Sequence, residues 1–210
     1  MTAVDGNGPP PTPDGYADPY RFAYPGLPLQ IAAVLLTLAS VVGFGWLLTV
    51  IQGDAALAGI LEVSTDGSFT VNLVAVALPF LIAIVVTAVV HELIHGLAYR
   101  LFGHEVTYGV VPSMGAFYAA ALGQFQTRET NVRVGAAPLL VITPVALLLL
   151  AAPFPMVATT AYFVLVLNTA GAVGDLYALW RFRQLPADTL LYDADIRHMY
   201  VFEPLAAPVE

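Results

Sequence analysis

The 210-residue chain contains no cysteine and no lysine, and only 10% of its residues are charged. Without cysteine there is no disulfide, no thiolate metal site and no cysteine nucleophile, so any metal must be held by nitrogen and oxygen ligands. Without lysine, all side-chain positive charge apart from histidine rests on arginine, and the formal net charge is -8. A soluble domain carries about a quarter charged residues. The shortfall here, together with 59% hydrophobic residues and a mean hydropathy of +0.79, describes a chain expected to be solvated largely by lipid. The acids are scattered through loops and tails and form no continuous block, so nucleic acid is not an expected partner. Nothing at the start of the chain combines a basic stretch, an apolar core and a small-residue cleavage site, so targeting is expected to reside in the membrane segments themselves.

What is present is organised around four apolar segments, roughly Leu29 to Ile51, Val71 to Leu101, Val132 to Ala152 and Val157 to Trp180. Each reaches the roughly 20 residues needed to cross a bilayer core. Pro79, Pro138 and Pro144 are positions where the second and third can kink. The stretch before them, residues 1–28, is rich in proline and glycine with no apolar period, and reads as a disordered tail. Arginine sets the orientation, since basic residues concentrate on the cytoplasmic side. Arg21 precedes the first span, Arg100, Arg128 and Arg133 bracket the loop between the second and third, and Arg181, Arg183 and Arg197 follow the fourth. The segments Gln52 to Thr70 and Pro153 to Met156 contain none and are placed outside. The expected fold is thus an all-α integral membrane protein of the cell membrane. Four transmembrane helices fill residues 29–181, both termini are cytoplasmic, and residues 182–210 form a C-terminal tail. Between spans two and three, His104 to Thr127 mixes polar and apolar residues with Gly109 and Gly123, which predicts a small cytoplasmic β-hairpin. An edge strand there can bind an extended substrate by strand addition, although a plain membrane-lying connector is an equal reading.

Within the second span lies His91-Glu92-Leu93-Ile94-His95. Positions i and i+4 of a helix project from one face, so both imidazoles can reach one metal ion, with Glu92 beside the first ligand, placed to take a proton from water. A random shuffle of these residues produces the pattern only about 0.002 times per chain. Ionisable groups in a membrane helix cost on the order of 2.5–3.5 kcal/mol each and persist mainly where they function. One metal site accounts for all three residues together.

A catalytic zinc usually takes three protein ligands and leaves one position for water. Asp175 is the other ionisable residue deep in a span. It precedes Arg181 by six residues, while His91 and His95 precede Arg100 by nine and five. At a rise of 1.5 Å per residue these offsets are roughly 9, 13 and 7.5 Å from the cytoplasmic boundary, a compatible depth. Asn168 lies two helical turns before Asp175 and is expected on the same helix face. It can orient substrate or stabilise an oxyanion, or simply make an interhelical hydrogen bond. Gly171 and Gly174 suit close helix packing. His104 and His198 fall outside the spans; His198, with Asp193 and Asp195 nearby, resembles a metal cluster but lacks a helix or strand frame and is read as solvated.

The combination HELIHGLAYRLFG (residues 91–103) and NTAGAVGD (residues 168–175) resembles the putative zincin peptidases, a membrane family similar in logic to site-2 proteases. The likeness covers spans two to four and their connecting loop. It implies Zn2+ on His91, His95 and Asp175, Glu92 as the catalytic acid/base and Asn168 as an auxiliary catalytic group. Asp175 is followed by Leu176 rather than by the glycine common in site-2 proteases, and no PDZ-like domain is recognised, which together suggest a minimal core. The expected function is an intramembrane zinc metalloprotease acting on membrane-protein or peptide substrates within the lipid bilayer. The rivals are a zinc transporter or sensor and an inactive escort of membrane proteins. The sequence does not bear on oligomeric state.

Overall fold

The computed structural model describes residues 8–57, 60–112 and 116–205. Along the chain come β1 (Tyr20–Phe22), α1 (Gly26–Gln52), a 3-10 turn (Gly53–Leu57), β2 (Leu61–Val63), β3 (Phe69–Val71) and α2 (Leu73–Leu101). They are followed by β4 (Thr107–Val111), β5 (Ala116–Ala120), β6 (Phe125–Thr127), α3 (Arg128–Leu150), α4 (Pro155–Gly171), α5 (Val173–Phe182), β7 (Leu190–Asp195) and β8 (His198–Phe202).

The long helices begin where a side chain or a proline meets the unpaired N–H groups of a first turn. The Asn72 carboxamide oxygen accepts from the Val74 and Ala75 amides at 3.1 and 3.2 Å to open α2. Thr127 Oγ1 accepts from the Thr130 amide at 3.1 Å to open α3. Pro155 supplies the preset φ of the first turn of α4. At its far end α2 stops at Gly103, whose φ of +83° few other residues adopt readily. Pro79, Pro138 and Pro144 all sit inside continuous helices.

Three helices, α1, α2 and α3, are long and apolar enough to cross a membrane. Their apolar side chains face outward, Leu140 being 71% and Leu148 77% exposed. Such surface is costly in water and ordinary against lipid acyl chains, so the helices are compatible with membrane insertion. The expected fourth span is not one helix. α4 and α5 pass the same test only as a pair, bent by 44° at Ala172. Gly171 and Gly174 flank the break, and glycine is among the weakest helix formers, so the backbone yields there.

The chain divides into two compact units, Leu27–His91 with Pro138–Val173, and Met1–Gly26 with Glu92–Ala137 and Gly174–Glu210. All seven arginines fall in the second, hereafter the polar unit. The first, apolar unit has no basic residue besides His91, and its acids Asp54, Glu62 and Asp66 lie between α1 and α2. Inside the apolar unit, Gln52 Nε2 donates to the Leu150 and Ala152 carbonyls at 2.7 and 2.9 Å, satisfying acceptors that the end of α3 leaves open. The Phe80 and Phe163 rings meet edge-on at 5.2 Å, and the Tyr162 hydroxyl donates to the Val41 carbonyl of α1 at 3.3 Å.

The polar unit is built on a four-stranded antiparallel sheet in the order β1-β8-β7-β6. Its core packs Phe182 of α5 against Leu191 and Val201, with Phe22 and Val132 closing over them. This overturns two expectations. The fold is mostly helical but not all-α, and the N-terminal stretch read as disordered carries a strand. Arg21 of β1 faces Tyr200, and Tyr16 bridges Pro204. Phe22 stacks 5.1 Å from Phe182, which gives this proline-rich segment an apolar anchor. Residues 1–7 and 206–210 lie outside the described residues. The hairpin expected in the loop exists as β4 and β5, in register Thr107↔Ala120 to Val111↔Ala116. A second cluster, Tyr99, Ala121 and Val134, joins α2, the end of β5 and α3 within this unit.

Candidate metal centre

Helical spacing alone brings the motif side chains together. One ligand atom each from His91, Glu92 and His95 lie within 4.8 Å of one another, and among the described residues this is the group with the makings of a metal site. His91 and Glu92 are half-buried, His95 is buried.

Each imidazole is held by its Nδ1. His95 Nδ1 lies 3.0 Å from the Val134 carbonyl oxygen. A carbonyl only accepts, so Nδ1 is the donor in this contact. His91 Nδ1 lies 3.1 Å from Asn168 Oδ1. Asn168 directs its Nδ2 to Thr143 Oγ1 at 3.5 Å, which leaves Oδ1 as the acceptor for His91. A protein acceptor at Nδ1 is the outer contact that metal-binding histidines commonly make, with Nε2 as the ligand nitrogen.

Asp175 sits in the first turn of α5, where the unpaired amides of a helix start favour a carboxylate. Its Oδ2 lies 3.6 Å from His95 Nε2. Two ligands of one tetrahedral zinc, each about 2.0–2.1 Å from the ion, stand roughly 3.3 Å apart. The donor chemistry therefore suits zinc, imidazole nitrogen and carboxylate oxygen with no thiolate available, and the His95–Asp175 pair has the spacing of two ligands of one ion.

Glu92 also reaches the hairpin. Its Oε2 accepts the backbone N–H of Ala119 in β5 at 2.9 Å, so the hairpin steadies the carboxylate. The hairpin is itself seated on α2 at Gly96. A Cβ there would lie 2.1 Å from the Tyr108 hydroxyl, so only glycine lets Tyr108 lie against the helix, with the Arg100 guanidinium 5.7 Å from its ring centre.

Asn168 needs a correction of placement. The break at Ala172 puts Asn168 near the end of α4 and Asp175 in α5, so the two do not share one continuous helix face. Asn168 is wholly buried and contacts His91. His198, read as lacking a frame, stands on β8 and pairs with Asp195 at 2.7 Å. The partners that sequence reasoning missed, the Val134 carbonyl and the Ala119 amide, are backbone atoms and leave no residue-type signal.

A family profile described as "Putative zincin peptidase" matches residues 84–190, just over half of the chain and including every candidate residue above. No curated protein and no solved structure matches the chain.

Proposed function

The chain belongs to the putative zincin peptidase family, and from that premise we propose that it is a zinc metallopeptidase of the cell membrane, cleaving peptide bonds of membrane-associated substrates in the manner of a site-2 protease. His91, His95 and Asp175 hold the ion. Zinc, when bound, supplies Lewis acidity and lowers the pKa of water, which lets hydrolysis run near neutral pH.

The rest falls to the protein's own groups. Glu92 takes the proton that water loses as its oxygen attacks the substrate carbonyl carbon, then returns that proton to the amide nitrogen as the C–N bond breaks. Asn168 and the Val134 carbonyl fix the ring orientations of His91 and His95, and so act as positioning groups. The carbonyls of a transmembrane helix are tied up in internal hydrogen bonds, so the substrate must be locally unwound before attack. Arginines confined to the polar unit support a cytoplasmic side for that unit and both termini, hence cleavage near the cytoplasmic boundary.

The observation that carries this reading is the pair of Nδ1-anchored imidazoles with the Asp175 carboxylate 3.6 Å from the Nε2 of His95. Its test compares wild type with Glu92→Gln on synthetic membrane peptides, with zinc content measured in both. The expected outcome is equal zinc and loss of cleavage in the variant. Equal cleavage removes Glu92 from the mechanism, and zinc binding with no cleavage by wild type favours a zinc transporter or sensor.

A further inference from the structure

Beside the motif, wholly within the polar unit, lies a cavity of about 400 Å³ that the mechanism above does not use. One residue links it to the candidate site: Ala119 lines the cavity and gives its amide N–H to Glu92. The charge inside is Asp193 of β7, 9% exposed. Gln126, itself buried, donates to one carboxylate oxygen at 3.2 Å, and among the described residues no cation forms an ion pair with Asp193. Burial, opposed by the Gln126 hydrogen bond and reinforced by Asp195, pushes the Asp193 carboxyl up to about 6. A buried carboxylate without a counter-ion is costly, and charged groups that persist at such a cost are commonly functional.

The surroundings favour a positive guest. Tyr24, Tyr99 and Tyr118 line the cavity, and aromatic faces attract cations. The other acid, Asp195, is already matched by His198 at 2.7 Å. The two arginines of the lining, Arg21 and Arg197, are solvent-exposed, and Arg21 directs a guanidinium N–H to the Arg197 carbonyl at 3.1 Å.

We propose that this cavity is a substrate subsite that receives an arginine or lysine side chain, with Asp193 as its charged floor. The inference rests on the peptidase reading above. It also narrows the substrate class, because membrane segments carry their basic residues in the cytoplasmic flank.

The test uses the full chain, zinc-loaded and in detergent. The probe is a synthetic apolar-helix peptide with one arginine placed at successive positions of its polar flank, each paired with a citrulline counterpart of the same shape and no charge. Binding is read by fluorescence anisotropy with Glu92→Gln, so that no turnover is needed. At one register the arginine peptide is expected to bind about tenfold or more tightly than its citrulline twin, and Asp193→Asn in the same background is expected to erase the difference. Equal binding of the pair at every register overturns the subsite without reference to any protein variant. A preference that survives Asp193→Asn overturns the role of Asp193. Cleavage by Glu92→Gln as fast as wild type refutes the peptidase mechanism instead and leaves the binding comparison standing.

Discussion

Replacing Asn168 by alanine separates two roles for a fully buried residue. Asn168 Oδ1 is the acceptor 3.1 Å from His91 Nδ1. Removing it releases the tautomer and orientation of one proposed zinc ligand while leaving His91, His95, Asp175 and Glu92 in place. Loss of such an outer hydrogen bond typically weakens metal binding about 10- to 100-fold, or roughly 1.4–2.7 kcal/mol. The assay is competition for zinc against a chromophoric chelator at fixed pH, followed by peptide cleavage at limiting and saturating zinc. Asn168→Ala is expected to need more zinc and to recover most of its kcat once saturated. Asn168→Asp, which keeps an acceptor oxygen, is expected to stay near wild-type affinity. The positioning role is refuted if Asn168→Ala binds zinc within about twofold of wild type yet remains slow at saturation. That pattern belongs to a group acting on the substrate or its oxyanion.

Gly96→Ala puts a Cβ 2.1 Å from the Tyr108 hydroxyl, so the ring must swing off α2 at a cost of about 1–3 kcal/mol, with loss of activity. The double variant Gly96→Ala/Tyr108→Ala is expected to recover part of both stability and activity in melting and cleavage assays. Gln52→Ala leaves the Leu150 and Ala152 carbonyls without their side-chain donor and is expected to cost about 1–3 kcal/mol in thermal unfolding while leaving zinc affinity unchanged. Asp193 holds its proton to about pH 6 in the folded chain against 3.8 ordinarily. The folded state therefore binds the extra proton between these values, and stability falls as pH rises through that window. Asp193→Asn is accordingly expected to be more stable than wild type at pH 8, by up to about 3 kcal/mol, with the gap closing below pH 4. A destabilised variant at pH 8 would show that the carboxylate is compensated in the folded chain.

The motif was legible because helical spacing fixes side-chain direction, so His91, Glu92 and His95 could be set on one face of α2 without knowing any neighbour. The β4–β5 hairpin was legible for a similar reason, being local. β1 was not, because its partner β8 lies nearly the whole chain away and no residue near Tyr20 announces it. The break at Ala172 was hidden because hydropathy reports what a segment is made of and nothing of where its backbone turns. Asp175 was reached through its distance from Arg181 along the chain, and its Oδ2 lies 3.6 Å from His95 Nε2. The same-face argument for Asn168 assumed an unbroken helix and failed with it. Asp193 looked like one more acid in a solvated tail, since burial of a strand residue depends on partners from the rest of the sheet.

Zinc content tests the central claim most directly. Purified wild type and Glu92→Gln are each expected to carry one tightly held zinc per chain, and His95→Ala and Asp175→Ala to lose it under the same dialysis. Full zinc occupancy in a His91→Ala/His95→Ala chain would contradict the account, because the ion would then be held somewhere other than the helix that carries the motif.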